Sequence, residues 1–239
     1  MTIHLTKFGQ GRALVFFHGW GFDSQIWLSI IPKLAVQYQI ILVDLPGFGK
    51  SSMMNWQQFK TELLENLPMT FALVGWSMGG LFATRLILEA ADRVTHIVHI
   101  SSSPRFLGDD SWPGLPSESL LNFYNKLLVD KDKTLRDFAA LQMKRVKIPV
   151  SPSFESTNQG LKQGLDVLQF WDFRSKLQEI HLPSCFIFGT LDSITPIKIM
   201  HTMQSAFPQF SYVSFEQAGH MPFLSHPDKF VALLEDFIR

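Results

Sequence analysis

The chain has 239 residues, of which 46% are hydrophobic and 18% are charged, and it carries 21 basic and 21 acidic side chains. This composition favours one folded domain and argues against a disordered chain. The balanced charge argues against a nucleic-acid or membrane-surface binder. We find no leader-like start and no apolar run approaching the roughly 18 residues of a membrane span. We therefore expect a soluble, cytoplasmic protein that binds neither nucleic acid nor membrane.

Short β-branched and aromatic runs alternate along the chain with longer amphipathic stretches. The predicted strands are residues 13–17, 40–43, 71–74, 94–100, 185–188 and 212–215. The predicted helices are residues 24–35, 56–67, 78–91, 196–207 and 227–238. This alternation predicts an α/β fold with a mostly parallel central sheet flanked by helices.

The alternation stops between residues 104 and 181, where prolines and charged residues surround helical stretches and no strand pattern is visible. Helices are predicted at residues 120–129 and 135–143, and a loop at 149–153. We interpret residues 104–181 as an inserted helical lid. Residues 1–103 and 182–239 then form the core domain.

The most informative motif is Gly75-Trp76-Ser77-Met78-Gly79, a G-x-S-x-G sequence between a predicted strand and a predicted helix. A sharp strand-to-helix turn with small residues on both sides exposes a serine hydroxyl to a base. A glycine-rich turn with an idle serine is the alternative. The setting favours Ser77 as a catalytic nucleophile.

A serine nucleophile needs a base and an orienting carboxylate, and this kind of turn predicts the chain order Ser, acid, His. Asp192 follows the predicted strand 185–188, and His220 follows the last predicted strand. We predict these two as the acid and the base. Asp166 and Asp172 are alternative acids, but both precede the strand that should present the carboxylate.

The oxyanion of such a reaction needs two N–H donors. One is the backbone N–H after the nucleophile, that of Met78. The second should come from the loop after an early strand, where His18-Gly19-Trp20-Gly21 lies, and we choose Trp20. His18 is expected to hold that loop together.

Two other motifs carry less weight. Residues 44–51 end in Gly-Lys-Ser like a phosphate-binding loop, but Asp44 stands where the first glycine is required. A metal site is not expected, since His96 and His99 fall on opposite faces of a strand and the single Cys185 lies in an apolar run.

Together these motifs resemble the α/β-hydrolase superfamily over nearly the full chain. Three further features resemble the pimeloyl-acyl-carrier-protein methyl ester esterases of biotin synthesis. They are Trp20, the segment from Ser101-Ser102-Ser103-Pro104 to Trp112-Pro113-Gly114, and the run Phe138-Ala139-Ala140-Leu141-Gln142.

The resemblance implies a monomeric, cofactor-free serine carboxylesterase that hydrolyses the methyl ester of pimeloyl-acyl-carrier protein and releases methanol. It implies substrate contacts at Trp20, Ser77, Met78, Phe138, Ala139, Ala140, Leu141, Gln142 and His220. A basic lid patch would meet the acidic carrier protein, with candidates at Lys133, Arg136, Lys144, Arg145 and Lys147. The stretch after Gln142 is shorter and poorer in arginine than the family pattern.

Two alternatives stay open from the sequence. One is a general short-chain carboxylesterase with the same three catalytic residues and no carrier-protein partner. The other is a ligand-binding receptor that keeps the fold and uses its pocket for sensing. A preference for the carrier-linked ester that weakens as salt rises would distinguish the activity implied by the resemblance from a general carboxylesterase.

Overall fold

A seven-stranded sheet forms the centre of the molecule in the computed structural model, which describes residues 2–239. Its strands lie in the order β1-β3-β2-β4-β5-β6-β7, with β1 antiparallel to β3 and all other pairs parallel. The strands are β1 (Leu5–Phe8), β2 (Arg12–Phe17), β3 (Tyr38–Val43), β4 (Phe71–Trp76), β5 (Val94–Ile100), β6 (Ser184–Gly189) and β7 (Ser211–Phe215).

Helices cover both faces of this sheet. They are α1 (Ile31–Leu34), α2 (Trp56–Asn66), α3 (Met78–Glu89), α4 (Ser117–Val129), α5 (Lys131–Gln142), α6 (Asn158–Phe170), α7 (Ile197–Ala206), α8 (Pro222–Ser225) and α9 (Pro227–Phe237). Short 3-10 segments occupy Ser24–Trp27, Ala91–Arg93 and Arg174–Glu179. None of the helices in residues 2–239 combines the length and the apolar character of a membrane span.

The central strands are apolar on both faces because both faces are covered. On β2, Val15 and Phe17 pack into one hydrophobic core with residues of α2, α3 and α7. Leu14 and Phe16 point the other way, into a second core with residues of α1, α8 and α9. The alternation of neighbouring side chains thus anchors one strand in two cores.

The structure confirms the α/β fold and places all six predicted strands within about two residues of their predicted ends. It adds β1, a four-residue edge strand. The single helix predicted at 24–35 is wrong, because the chain there forms a 3-10 turn followed by the short α1, with Pro32 in the first turn of α1. It also adds α6, which the sequence interpretation did not include.

Between β5 and β6 the chain forms α4, α5 and α6 and no strand. The two ends of this segment are joined by an ion network. Arg105 contacts Asp172 at 2.8 Å, and Arg174 contacts Asp109 at 2.9 Å and Asp172 at 2.7 Å. The division into core and lid at residues 104 and 181 stays a prediction.

Candidate active site

Ser77 stands in the turn between β4 and α3 with φ 53° and ψ −121°, a backbone conformation that L-residues rarely adopt. The glycines on either side permit this turn. A Cβ on Gly75 would lie 2.7 Å from the carbonyl oxygen of Gly79, and a Cβ on Gly79 would lie 2.5 Å from that of Phe17. The sequence motif is therefore a steric requirement of the turn.

The structure brings Ser77, His220 and Asp192 into one chain of hydrogen bonds. Ser77 Oγ lies 2.8 Å from His220 Nε2, and His220 Nδ1 lies 2.7 Å from Asp192 Oδ2. A carboxylate can only accept, so Nδ1 carries the proton and Nε2 presents its lone pair to the serine hydroxyl. All three side chains are buried. This arrangement is suited to removing the proton from Ser77 as it attacks.

Asp192 is held by its own loop as well as by His220. Its Oδ1 accepts from the backbone N–H groups of Ile194 at 2.8 Å and Thr195 at 3.0 Å, and its Oδ2 accepts from Thr195 Oγ1 at 2.5 Å. Burial alone would raise the pKa of Asp192, but the facing His220 and these hydrogen bonds outweigh burial and lower it. The carboxylate is thus kept ionised beside the imidazole.

The two alternative acids lie elsewhere. Asp166 is on α6 and pairs with Lys162 at 2.9 Å. Asp172 belongs to the ion network at the ends of the inserted segment. Its partial burial is outweighed by hydrogen bonds from Arg174 and Arg105, which lower its pKa to about 2. Neither carboxylate contacts His220.

The loop that carries His220 is fixed from the sheet side. Trp76 donates from Nε1 to the His220 carbonyl oxygen at 2.8 Å, and the two rings lie 5.7 Å apart. The second residue of the G-x-S-x-G motif therefore holds the base in place. The motif gave no indication of this contact, which depends on the three-dimensional position of the His220 loop.

The two predicted oxyanion donors, Met78 and Trp20, are both adjacent in sequence to residues that lie at the Ser77 turn: Met78 follows Ser77, and a Cβ on Gly19 would lie 3.2 Å from Ser77 Cβ. Met78 is the first residue of α3, where a backbone N–H has no acceptor within the helix. The Trp20 backbone N–H makes no hydrogen bond within residues 2–239. Trp20 itself is buried, and its indole Nε1 donates to the Leu161 carbonyl oxygen at 2.8 Å. Their role as oxyanion donors stays a prediction.

His18 joins two loops beneath the site. Its Nδ1 donates to the Gly19 carbonyl oxygen at 2.8 Å, and its Nε2 accepts from the Leu45 N–H at 2.9 Å. Burial lowers the pKa of His18, so the neutral ring can make both contacts. These bonds hold the Trp20 loop in the way the sequence interpretation expects.

Ser77 opens on a cavity of about 800 Å³, within the range of small-molecule sites. Its apolar wall comes from the Trp20 loop and from α4, α5 and α6. The apolar lining residues are Trp20, Phe106, Leu115, Leu120, Phe123, Val129, Phe138, Leu141, Leu165, Leu168 and Ile194. The sequence interpretation did not include the wall formed by α4 and α6, because their contribution depends on how the helices pack.

Only part of the predicted substrate run reaches this cavity. Phe138 and Leu141 line it, whereas Ala139 is buried in the second core, Ala140 is exposed, and Gln142 donates from Nε2 to the Phe138 carbonyl oxygen at 3.1 Å. Consecutive residues of a helix point in different directions, so five in a row cannot share one wall. The side chains of Met78 and His220 are likewise not among those lining the cavity.

The predicted basic patch is divided by local contacts. Lys133 pairs with Asp137 at 2.5 Å on α5, and the Arg136 guanidinium lies 5.9 Å from the ring centre of Phe154. Lys144 Nζ lies 3.4 Å from the Leu191 carbonyl oxygen. Two further members, Arg145 and Lys147, are exposed and form no ion pair within residues 2–239. Of the five predicted members, only Lys133 is in an ion pair within residues 2–239.

The competing motifs have structural roles. Asp44 is buried and accepts from the N–H groups of Ser24 at 2.8 Å and Lys50 at 2.9 Å, which closes the turn that resembled a phosphate loop. His96 contacts Arg12, and His99 stacks on Phe186 of the neighbouring strand β6. Among residues 2–239 no group of three or more His, Cys, Asp or Glu side chains could hold a metal ion.

With this geometry in place, comparison with known proteins decides the family. The sequence pattern described as "Alpha/beta hydrolase family" matches residues 14–233. The chain belongs to the alpha/beta hydrolase family. This alpha/beta hydrolase also superposes on an esterase from Exiguobacterium antarcticum with a TM-score of 0.90, over 99% of this chain and 95% of that one. Their sequence identity is 23%, so that likeness concerns the fold.

Curated relatives match this hydrolase over its whole length. A protein of Legionella pneumophila (strain Corby) named "Pimeloyl-[acyl-carrier protein] methyl ester esterase" is 53% identical, with 100% of both chains covered. A protein of Aliivibrio salmonicida (strain LFI1238) with the same name is 36% identical, over 97% of this chain and 94% of its own. The resemblance noted in the sequence is therefore confirmed.

Proposed function

We propose that this hydrolase cleaves the methyl ester of a pimeloyl chain carried by acyl carrier protein, giving the free carboxylate and methanol. The observation that carries the proposal is the hydrogen-bonded chain of Ser77, His220 and Asp192 beside a large apolar cavity. An alkyl chain suits such a cavity, and the names of the relatives at 53% and 36% identity support this substrate.

The reaction begins at Ser77, whose hydroxyl attacks the ester carbonyl while His220 Nε2 takes its proton. Asp192 holds the Nδ1–H tautomer and stabilises the imidazolium that forms. The backbone N–H groups of Met78 and Trp20 bind the oxyanion. Losing one such donor typically costs on the order of 2.7–4 kcal/mol of transition-state stabilisation.

The tetrahedral intermediate collapses when the imidazolium of His220 gives its proton to the departing methoxide, which leaves as methanol. Water then attacks the acyl-serine with His220 as base, and Ser77 is released with its proton restored. The protein returns to its starting state without a diffusible cofactor. We place this activity in the cytoplasm and in a monomer that meets its carrier protein through the lid.

The test offers purified protein two substrates, pimeloyl-acyl-carrier-protein methyl ester and free methyl pimelate, and follows the conversion of ester to acid by mass spectrometry. We expect the carrier-linked ester to be the better substrate. Ser77→Ala should lower kcat by roughly a thousandfold or more with unchanged circular dichroism.

Each alternative has its own outcome in this experiment. Hydrolysis confined to free or small esters would replace the proposal with a general carboxylesterase. Tight binding with a single slow turnover would indicate a receptor. Full activity of Ser77→Ala would refute the nucleophile.

A further inference from the structure

Thr195 is a buried residue that lies beside the acid and the base, and the sequence predicts no role for it. It lies just before α7 and is 0% exposed. Its Oγ1 is 2.5 Å from Asp192 Oδ2 and 3.5 Å from His220 Nδ1. It is thus adjacent to both the acid and the base.

The direction of these contacts follows from their chemistry. An ionised carboxylate has no proton to give, so the Thr195 hydroxyl donates to Asp192 Oδ2. The same oxygen accepts the Nδ1–H of His220 at 2.7 Å. The 3.5 Å separation between Thr195 Oγ1 and His220 Nδ1 is too long for a strong hydrogen bond. Thr195 therefore reaches the base through Asp192.

The carboxylate is consequently held at both of its oxygens. Oδ1 accepts two backbone N–H groups, and Oδ2 accepts one hydroxyl and one imidazole N–H. Rotation of the carboxylate about its own bond would break several of these bonds at once. Only the hydroxyl donor can be removed by changing a side chain other than the acid and the base themselves.

We propose that Thr195 is a positioning residue. Its hydroxyl donates to Asp192 Oδ2, the same oxygen that accepts from His220, and so holds that oxygen against the imidazole. The inference rests on the proposed function, since it assumes that His220 acts as the base for Ser77. Asp192 and His220 are the ionisable groups within 3.5 Å of Thr195 Oγ1, and Lys144 Nζ lies 3.4 Å from the Leu191 carbonyl oxygen on the same loop.

Removing the hydroxyl leaves Asp192 without one charge-assisted hydrogen bond. The carboxylate is then held less firmly against His220, which lowers kcat by about tenfold while KM changes little.

The experiment compares Thr195→Val, which keeps the shape and loses the hydroxyl, with Thr195→Ser, which keeps the hydroxyl and loses a methyl group. For both, kcat and KM are measured separately on p-nitrophenyl butyrate and on the carrier-linked ester. Thr84→Val is the matched control, because the buried Thr84 hydroxyl donates to the Gly80 carbonyl oxygen and not to the site. Thr195→Ala replaces the valine variant if that protein does not fold.

We expect Thr195→Ser to resemble the unsubstituted protein, and Thr195→Val to lose kcat with little change in KM. A valine variant with unchanged kcat would overturn the proposal, and so would a serine variant as impaired as the valine variant. Ser77→Ala in the same assay separates the two claims. Its inactivity beside a fully active Thr195→Val would overturn the role of Thr195 alone, whereas its activity would overturn the proposed function.

Discussion

At the scale of single residues, His99 is a buried titratable group outside the hydrogen-bonded chain of Ser77, His220 and Asp192. It lies on β5, 2% exposed, with its ring stacked on Phe186 at a centroid distance of 4.2 Å. Burial lowers its pKa to about 3. The folded protein thus keeps His99 neutral at a pH where the unfolded chain would protonate it.

This difference predicts a pH dependence of stability. Between pH 6.5 and about 3 the unfolded chain binds a proton at His99 that the folded protein does not, so the free energy of unfolding falls as the pH falls. Above pH 6.5 the contribution is constant. The expected loss from this residue at pH 5 is about 2 kcal/mol.

Urea unfolding at pH 7.5 and pH 5 measures this loss. His99→Phe keeps an aromatic ring stacked on Phe186. Between pH 7.5 and pH 5 its free energy of unfolding should fall less than that of the unsubstituted protein. His201→Phe on α7 is the control, because His201 is exposed and should leave the difference unchanged. Equal pH dependence in all three proteins would contradict the prediction.

The sequence identified Ser77, Asp192 and His220 because motif and chain order restrict them strongly, and the structure brings them together. It could not identify Thr195. A threonine three residues after an aspartate has no distinctive pattern, and its role depends on a loop that turns back on the carboxylate. The same holds for Trp76 at the end of β4, whose indole donates to the His220 carbonyl oxygen.

At the scale of elements, α6 packs closely on the core through two glycines on one face. A Cβ on Gly160 would lie 2.8 Å from Gly47 Cα. A Cβ on Gly164 would lie 2.5 Å from Trp20 Cδ1 and 3.0 Å from Met78 Sδ. The helix therefore rests directly on both residues predicted to supply the oxyanion donors.

Gly164→Ala is expected to disturb that contact. Alanine favours the helix by about 1 kcal/mol, but overpacking costs about 1–3 kcal/mol. Trp20 cannot rotate freely away, because its indole is bonded to Leu161 on the same helix. We expect kcat on a short ester to fall about tenfold and the melting temperature to fall by a few degrees.

Calorimetry and steady-state kinetics on the purified variants check this prediction. Gln169→Ala, an exposed change on the same helix, should alter neither quantity. An unchanged kcat in Gly164→Ala would show that Trp20 can move without consequence for the site.

The elements predicted well are those whose apolar pattern is long or regular, such as β5 and α3. The missed ones have identifiable causes. The glycines at 160 and 164 lower helix propensity, yet packing against Gly47 and Trp20 requires them there. The short β1 is an edge strand paired only with β3, and four residues give little pattern to recognise.

At the scale of the whole molecule, the formal net charge is zero, so any electrostatic attraction of a partner must come from local charged patches. On the segment between β5 and β6, many charges are already paired, as in Lys133 with Asp137 and Lys162 with Asp166. Surface pairs of this kind present little net field to a partner. Arg145 and Lys147 of the predicted patch are exposed and form no ion pair within residues 2–239, so we propose them as contacts for a negatively charged carrier protein.

This predicts that salt changes kcat/KM for the carrier-linked substrate and not for the free ester. Lys147→Glu should lower kcat/KM for that substrate about threefold or more at low ionic strength, because it reverses a charge that would steer the encounter. The difference should shrink as salt shortens the screening length from about 10 Å at 0.1 M toward about 3 Å at 1 M. Hydrolysis of free methyl pimelate should not change.

Lys229→Glu on α9 makes the same change in net charge outside the inserted segment and serves as the control. Steady-state kinetics on both esters from low to high salt give the comparison. Equal losses in the two charge reversals would mean that overall charge, and not this patch, guides the carrier protein. No loss in either would mean that the carrier is recognised through apolar contacts around the cavity mouth, where Val129 and Leu141 are exposed.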